Sequence, residues 1–152
     1  MKRDSQPVTW QAIAFAVAVG LVLVLAADFL AGVSAALPLP RGFFAELNPW
    51  TGLGTFASML LTYQAPVAVM AALASWAMFR ALRSTRPTLV LACMTPWLAM
   101  LMWHWLGDLR GSFDSVTSNG FFALSALVGM LFVPAGIWAG AQLANWRMRS
   151  SR

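Results

Sequence analysis

The chain has 152 residues, of which 60% are hydrophobic and 10% are charged. A soluble domain of this length has too little interior to bury so much apolar surface, since soluble globular proteins are about 45–50% apolar and about 25% charged. The lipid bilayer is the solvent that fits this composition, and the length predicts a single membrane domain over residues 1–152. The one cysteine, Cys93, excludes an internal disulfide and a C-x-x-C metal or redox pair.

Four apolar stretches are long enough to be transmembrane helices, which need about 20 mainly apolar residues. They lie at residues 9–32, 54–79, 88–106 and 120–146. The sequence therefore predicts an all-α integral membrane protein built as a bundle of four transmembrane helices. The first stretch follows MKRD, as in a cleavable signal peptide, but it is longer than the about 7–15 apolar residues of such a signal. We therefore expect it to be retained.

Lysine and arginine collect on one side of these four spans. Because cytoplasmic loops carry the excess of basic residues, both termini and the loop between the second and third spans are predicted to be cytoplasmic. Only Arg41 and Arg110 fall on the other side. The distribution accounts for the net charge of +5 without a nucleic-acid partner. The basic residues on the predicted cytoplasmic side are Lys2, Arg3, Arg80, Arg83, Arg86, Arg147, Arg149 and Arg152.

The tryptophans agree with this orientation, because indole rings favour the headgroup level on both sides of a membrane. Trp97 and Trp138 fall deeper, and we expect them to pack between helices. The predicted inner belt is Trp10, Trp76 and Trp146, and the outer belt is Trp50, Trp103 and Trp105.

The first outer loop, residues 38–52, is rich in proline and aromatic residues. Phe43, Phe44 and Leu47 can face the membrane while Arg41 and Glu46 stay in water, which is typical of a short interfacial helix over about residues 42–47. We expect this segment to cover the outer end of the bundle. The alternative is a lid or a docking surface for a periplasmic partner.

Small residues recur at helical spacing in the first and fourth spans, as they do where membrane helices approach closely. Ala16 and Gly20 form such a pair in the first span. We expect the first and fourth spans to pack against each other, and the alternative is a surface for dimerisation or for a partner. The candidate packing residues of the fourth span are Gly129, Gly136, Gly140 and Ala144.

Ionisable residues within the spans are candidates for function, because charge is costly in a bilayer. Asp28 and His104 each lie about one turn from the predicted outer end of a span, and Asp108 follows His104 at the i, i+4 spacing of a helix face. Together with Tyr63 they form a candidate polar site for a proton relay, a substrate or a quinone headgroup. The interpretation that the sequence favours is structural, with these groups hydrated at the interface. Other polar residues near this depth in the second span are Ser58, Thr62 and Gln64.

Sets of residues that carry known membrane chemistry are incomplete in this sequence. There is one histidine where a haem b anchor takes two, and no paired cysteines for a thiol oxidase. Cys93, Met100 and His104 suit Cu(I) by type, but Cys93 and Met100 are about 10 Å apart along a helix, so one helix cannot bring all three to one ion. No metal, cofactor or catalytic residue is therefore predicted.

The sequence predicts a small protein of the bacterial inner membrane that is not an enzyme. Its short loops and few polar residues favour a non-catalytic accessory subunit or assembly factor of a larger membrane complex. Its expected partners are the lipid bilayer and other membrane subunits or further copies of itself. The alternative is a small oligomeric transporter or channel with an outward-facing site at Asp28 and His104.

Overall fold

A computed structural model of the chain describes residues 8–36, 57, 60–108 and 120–150. Within these ranges the side chains at 34–36, 104–108 and 120–127 are not described. The predicted interfacial segment at 42–47 therefore lies outside the described residues. So do Lys2, Arg3, Arg41, Arg110 and Arg152.

The described residues form helices and contain no strands. The helices are α1 (Trp10–Ala36), a π-helical turn (Leu60–Gln64) that continues into α2 (Ala65–Leu82), α3 (Pro87–Asp108) and α4 (Gly120–Ser150). Each predicted span corresponds to one helix. Three segments are long and apolar enough to cross a membrane, namely Trp10–Val33, Leu60–Leu82 and Val128–Ser150. In α3 the apolar part with described side chains is shorter, Pro87–Trp103.

Local signals explain where the helices begin and end. Thr9 caps α1, because its Oγ1 accepts a hydrogen bond from the backbone N–H of Ala12 at 3.3 Å. Pro87 begins α3, where its missing N–H has no intrahelical partner to lose. The end of α2 is a turn at Arg83, whose φ of 50° is left-handed. Its N–H bonds to the Arg80 carbonyl oxygen at 3.2 Å.

The four helices form a ring in the order α1, α2, α4, α3. The most extensive contacts join α2 to α4 and α1 to α3, and smaller contacts join α1 to α2 and α3 to α4. The connection between α2 and α3 at residues 83–86 therefore crosses the end of the bundle diagonally. The start of α1, the end of α4 and this connection lie at the same end.

Glycines allow α4 to approach α2 more closely than any side chain would. A Cβ atom at Gly136 would lie 2.5 Å from the Ala68 carbonyl oxygen. Four residues further along α4, a Cβ at Gly140 would overlap the Ala72 carbonyl oxygen and Ser75 Oγ. Because both contacts advance by four residues, the two helices run parallel.

Ser75 is the polar element of this interface and is fully buried. Its hydroxyl donates to the Ala71 carbonyl oxygen of its own helix at 2.6 Å, and the Ile137 carbonyl oxygen of α4 lies 3.4 Å away. The hydroxyl thus fits beside the backbone of α4 without an unmade hydrogen bond.

The expected packing of the first span against the fourth is wrong. The row of small residues in α4 packs against α2, and contacts between α1 and α4 are slight in the described part of the chain. Gly20 of α1 instead packs on α3, where a Cβ would overlap the Cys93 carbonyl oxygen and meet the Pro96 ring at 3.0 Å. Small residues indicate that a neighbour approaches closely but not which neighbour it is.

The core lies along the seams between these helices. Phe79, Leu89 and Ile137 are among its largest fully buried side chains. Trp97 is buried, as expected, but Trp138 is 59% exposed, so the expectation that it packs between helices is wrong. Trp138 lies on the side of α4 that faces away from Gly136 and Gly140, and large apolar side chains on such outer faces suit contact with lipid.

We expect Gly140→Leu to destabilise the bundle by about 1–3 kcal/mol or more, because the new side chain must displace the backbone of α2. Thermal unfolding of the purified protein in detergent would measure the loss. Gly32→Leu is the matched control, because a Cβ at Gly32 would have nothing within 4 Å. An equal loss in both variants would contradict the close packing of α2 and α4.

Candidate functional site

The π-helical turn positions the polar residues of the second span. It occupies Leu60–Gln64 and ends two residues before Pro66, which has no N–H to give to the preceding turn. A wider turn before a proline relieves the clash of its ring with the preceding backbone, and π-turns are frequent at functional sites. Tyr63 and Gln64 both lie on this turn.

Asp28 of α1 and Tyr63 of the π-helical turn lie within electrostatic range of each other. Asp28 is on the exposed side of α1, and its carboxylate interacts electrostatically with the half-buried Tyr63 phenol. Two of the four candidate polar-site residues are thus near enough to interact electrostatically, and the polar site itself stays a prediction.

His104 and Asp108 belong to α3, but their side chains lie outside the described residues. The helix register gives the level of His104. Gly20 lies beside Cys93 and Pro96 of α3. The first and third of four consecutive membrane spans run in the same direction, so α1 and α3 are expected to be parallel. Asp28 is eight residues beyond Gly20, so it is level with residues 101–104 of α3.

Gln64 points the other way, into the bundle. It is 3% exposed, and a Cβ at Gly129 would lie 3.5 Å from its Nε2. The absence of a side chain at Gly129 leaves space for the amide. Gly129 therefore belongs to the same row as Gly136 and Gly140 and accommodates a polar side chain of the opposite helix.

A second polar contact in the interior depends on Pro134 of α4. Because a proline has no N–H, the carbonyl oxygen four residues earlier, at Met130, loses its helical donor. The indole Nε1 of Trp97 donates to this oxygen at 3.1 Å. Trp97 is 5% exposed, so the hydrogen bond lies within the bundle. An unsatisfied carbonyl there would be costly, since lipid offers no donors.

Two of the described interior polar groups, Ser75 and Trp97, thus serve the packing of the helices. Ser75 lies against α4, and Trp97 completes the backbone of α4. No group of three or more His, Cys, Asp or Glu side chains that could hold a metal occurs among the described residues. Sequence reasoning did not find the role of Trp97, although a proline within a span signals a carbonyl that needs a donor from another helix.

We expect Trp97→Phe to destabilise the protein by about 1–3 kcal/mol, because the Met130 carbonyl is then buried without a donor. In a Pro134→Ala background the new N–H of residue 134 can bond to Met130, so the same Trp97→Phe change should be less harmful. A double-mutant cycle of unfolding free energies in detergent should give a coupling energy of about 0.5–3 kcal/mol between the two changes. The loss of indole volume has the same effect in both backgrounds and therefore cancels. A coupling of zero would contradict this role of Trp97.

Comparisons of the chain with protein-family models, with curated proteins and with solved structures find no significant match. The basis for a functional proposal is therefore the arrangement of its own residues.

Proposed function

We propose that this chain is a non-catalytic subunit or assembly factor of a larger membrane complex in the bacterial inner membrane. It crosses the membrane four times, with α3 as the third span, and both termini are cytoplasmic. The observation that carries the proposal is the position of Asp28, which is on the exposed side of α1 and not in the interior of the bundle.

An exposed carboxylate is unsuited to a transport site within one copy of the chain. Such a site needs polar groups that face one another across an enclosed space, where lipid and bulk water are excluded. The side chain of Asp28 faces outward. The described arginines lie on the last turns of α2 and α4 and on the connection before α3, at the opposite end of the bundle. The Asp28 carboxylate is therefore expected to interact with a group other than these arginines, such as water, a lipid headgroup or another chain.

The exposure of α1 also supports a role within a complex. In the most apolar 18-residue stretch of α1, 22% of the residues are buried. The corresponding fractions are 28% in Leu60–Leu82 and 33% in Val128–Ser150. Leu25 and Phe29, which flank Asp28, are 69% and 71% exposed. The helix is thus held by α3 along one side and leaves a broad outer face for lipid or for another subunit.

The orientation follows from the basic end of the bundle. Described arginines lie where α2 and α4 end and where α3 begins, and the excess of basic residues marks the cytoplasmic side of a membrane protein. The start of α1 and the end of α4 are at that same end, which supports the proposed cytoplasmic position of both termini.

The alternative is an oligomeric transporter or channel whose site forms between copies of the chain. The interaction of Asp28 with Tyr63, at the level of His104, favours this alternative. Several copies could surround an outward-facing site with these side chains.

We expect the full chain, purified from its native membrane in mild detergent, to carry a second protein at a fixed stoichiometry. Asp28→Asn and His104→Ala should insert as well as the wild type, because neither change adds a charge to an apolar span. Mass spectrometry of the purified complex and quantification in membrane fractions would measure both.

The opposite result is a chain that purifies only with itself. If such a sample also gives ion or solute flux in liposomes that Asp28→Asn abolishes, the subunit role is contradicted and the transporter is favoured.

A further inference from the structure

Three arginines lie at the end of the bundle where α2 and α4 end, namely Arg80, Arg83 and Arg147. Gly140 of α4 lies beside the backbone of Trp76 in α2, and the two helices are parallel. Arg147 is seven residues beyond Gly140, and Arg83 is seven residues beyond Trp76. The two arginines are therefore at the same level, with Arg80 one turn before Arg83.

Arg147 also lies on the side of α4 that faces α2. Seven residues at about 100° each bring a helix back to within about 20° of the same direction. Arg147 therefore continues the row of Gly136, Gly140 and Ala144, and Ala144 is 1% exposed. Arg149, nine residues beyond Gly140, points about 180° away from that row.

The tryptophan beneath Arg80 holds its guanidinium at this edge. The guanidinium carbon lies 5.4 Å from the centre of the Trp76 ring, which is a cation–π contact. The Leu60–Leu82 segment has 23 residues and is about 35 Å long, slightly more than the about 30 Å of bilayer hydrocarbon. Its last turn, with Arg80, therefore reaches the headgroup level.

Arg83 has a backbone conformation that suits glycine. Its φ is 50°, and it is the one described non-glycine residue with a positive φ. The residue that ends a helix in this conformation is usually glycine, because a Cβ is strained there. A strained residue that persists at such a position points to a function for its side chain. Arg83 is exposed, so its guanidinium is free to meet a ligand at the surface.

We propose that Arg80, Arg83 and Arg147 bind the phosphate group of an anionic phospholipid in the cytoplasmic leaflet. Guanidinium groups recognise phosphate oxygens through paired hydrogen bonds, and an anion offsets the mutual repulsion of three cations. Basic clusters between membrane helices on the cytoplasmic side are suited to such headgroups. The acyl chains of the lipid would lie along the outer faces of α2 and α4, where Leu73 and Trp146 are exposed.

The site rests on the proposed orientation in the membrane, but it is distinct from the proposed role in a complex and does not depend on that role. Free phosphate offers the same anionic oxygens, but the cluster lies at the edge of two apolar helices, where a lipid is anchored by its chains as well. A lipid is therefore expected to bind better than the free anion.

The test uses the full chain purified in detergent, with phosphatidylglycerol as probe and phosphatidylcholine as the neutral comparison. Native mass spectrometry would measure how much of each lipid stays bound. The site variants are Arg83→Gly and Arg147→Gln, and the matched control is Arg149→Gln, which removes the same charge from the opposite face of α4. Thermal unfolding of each variant checks that it is folded.

We expect the wild type to retain phosphatidylglycerol in preference to phosphatidylcholine. Each site variant should weaken phosphatidylglycerol binding about fivefold, the effect of about 1 kcal/mol per arginine, and Arg149→Gln should leave it nearly unchanged. Arg83→Gly should unfold at the same or a higher temperature than the wild type, because glycine suits the left-handed turn. This variant thus separates lipid binding from stability.

Two results would overturn the proposal. One is an equal loss of binding in Arg147→Gln and Arg149→Gln, or no loss in the site variants, since the attraction would then depend on overall charge alone. The other result would come from a thermal-unfolding experiment in which millimolar inorganic phosphate is added without lipid. If phosphate raises the unfolding temperature as much as phosphatidylglycerol does, the site is one for a free anion.

Discussion

The close approach of α2 and α4 is the contact on which the rest of the bundle depends. It requires glycine at 136 and 140, because the carbonyl oxygens of Ala68 and Ala72 occupy the space that side chains would need. Helices in lipid gain little from the hydrophobic effect, so close backbone contact and dispersion supply much of their attraction. The same contact fixes the register of the two helices, and with it the positions of Gln64 near one end and Arg147 near the other.

Prolines within the helices create a second constraint, because each removes a backbone donor in a medium that cannot replace it. In α4 the freed carbonyl of Met130 accepts the indole N–H of Trp97. In α3 the ring of Pro96 meets Gly20, which has no side chain to obstruct it. In the second span a π-helical turn precedes Pro66. The interior polar groups of Ser75 and Trp97 are thus committed to structure, and this favours the proposed subunit role over an internal catalytic or transport site.

The chemistry of the two ends of the bundle differs. One end combines arginines with tryptophan at the turns that close α2 and α4, and these groups suit anionic headgroups. Towards the other end, the Asp28 carboxylate on the outside of α1 lies within electrostatic range of the Tyr63 phenol. The proposed lipid site and the proposed subunit role are therefore properties of different surfaces and can be tested separately.

The sequence by itself determined the number and approximate bounds of the helices, because the length of an apolar run is a local property. It also determined that the basic residues collect at one end. It did not determine which helices pair, since α1, α3 and α4 are apolar around their whole circumference and periodicity then gives no information about the buried side. Only the tertiary structure decided that Gly140 meets α2, that Trp97 is buried while Trp138 is exposed, and that Asp28 faces outward beside Tyr63. These outcomes depend on close packing between particular backbones, and residue type alone does not specify it.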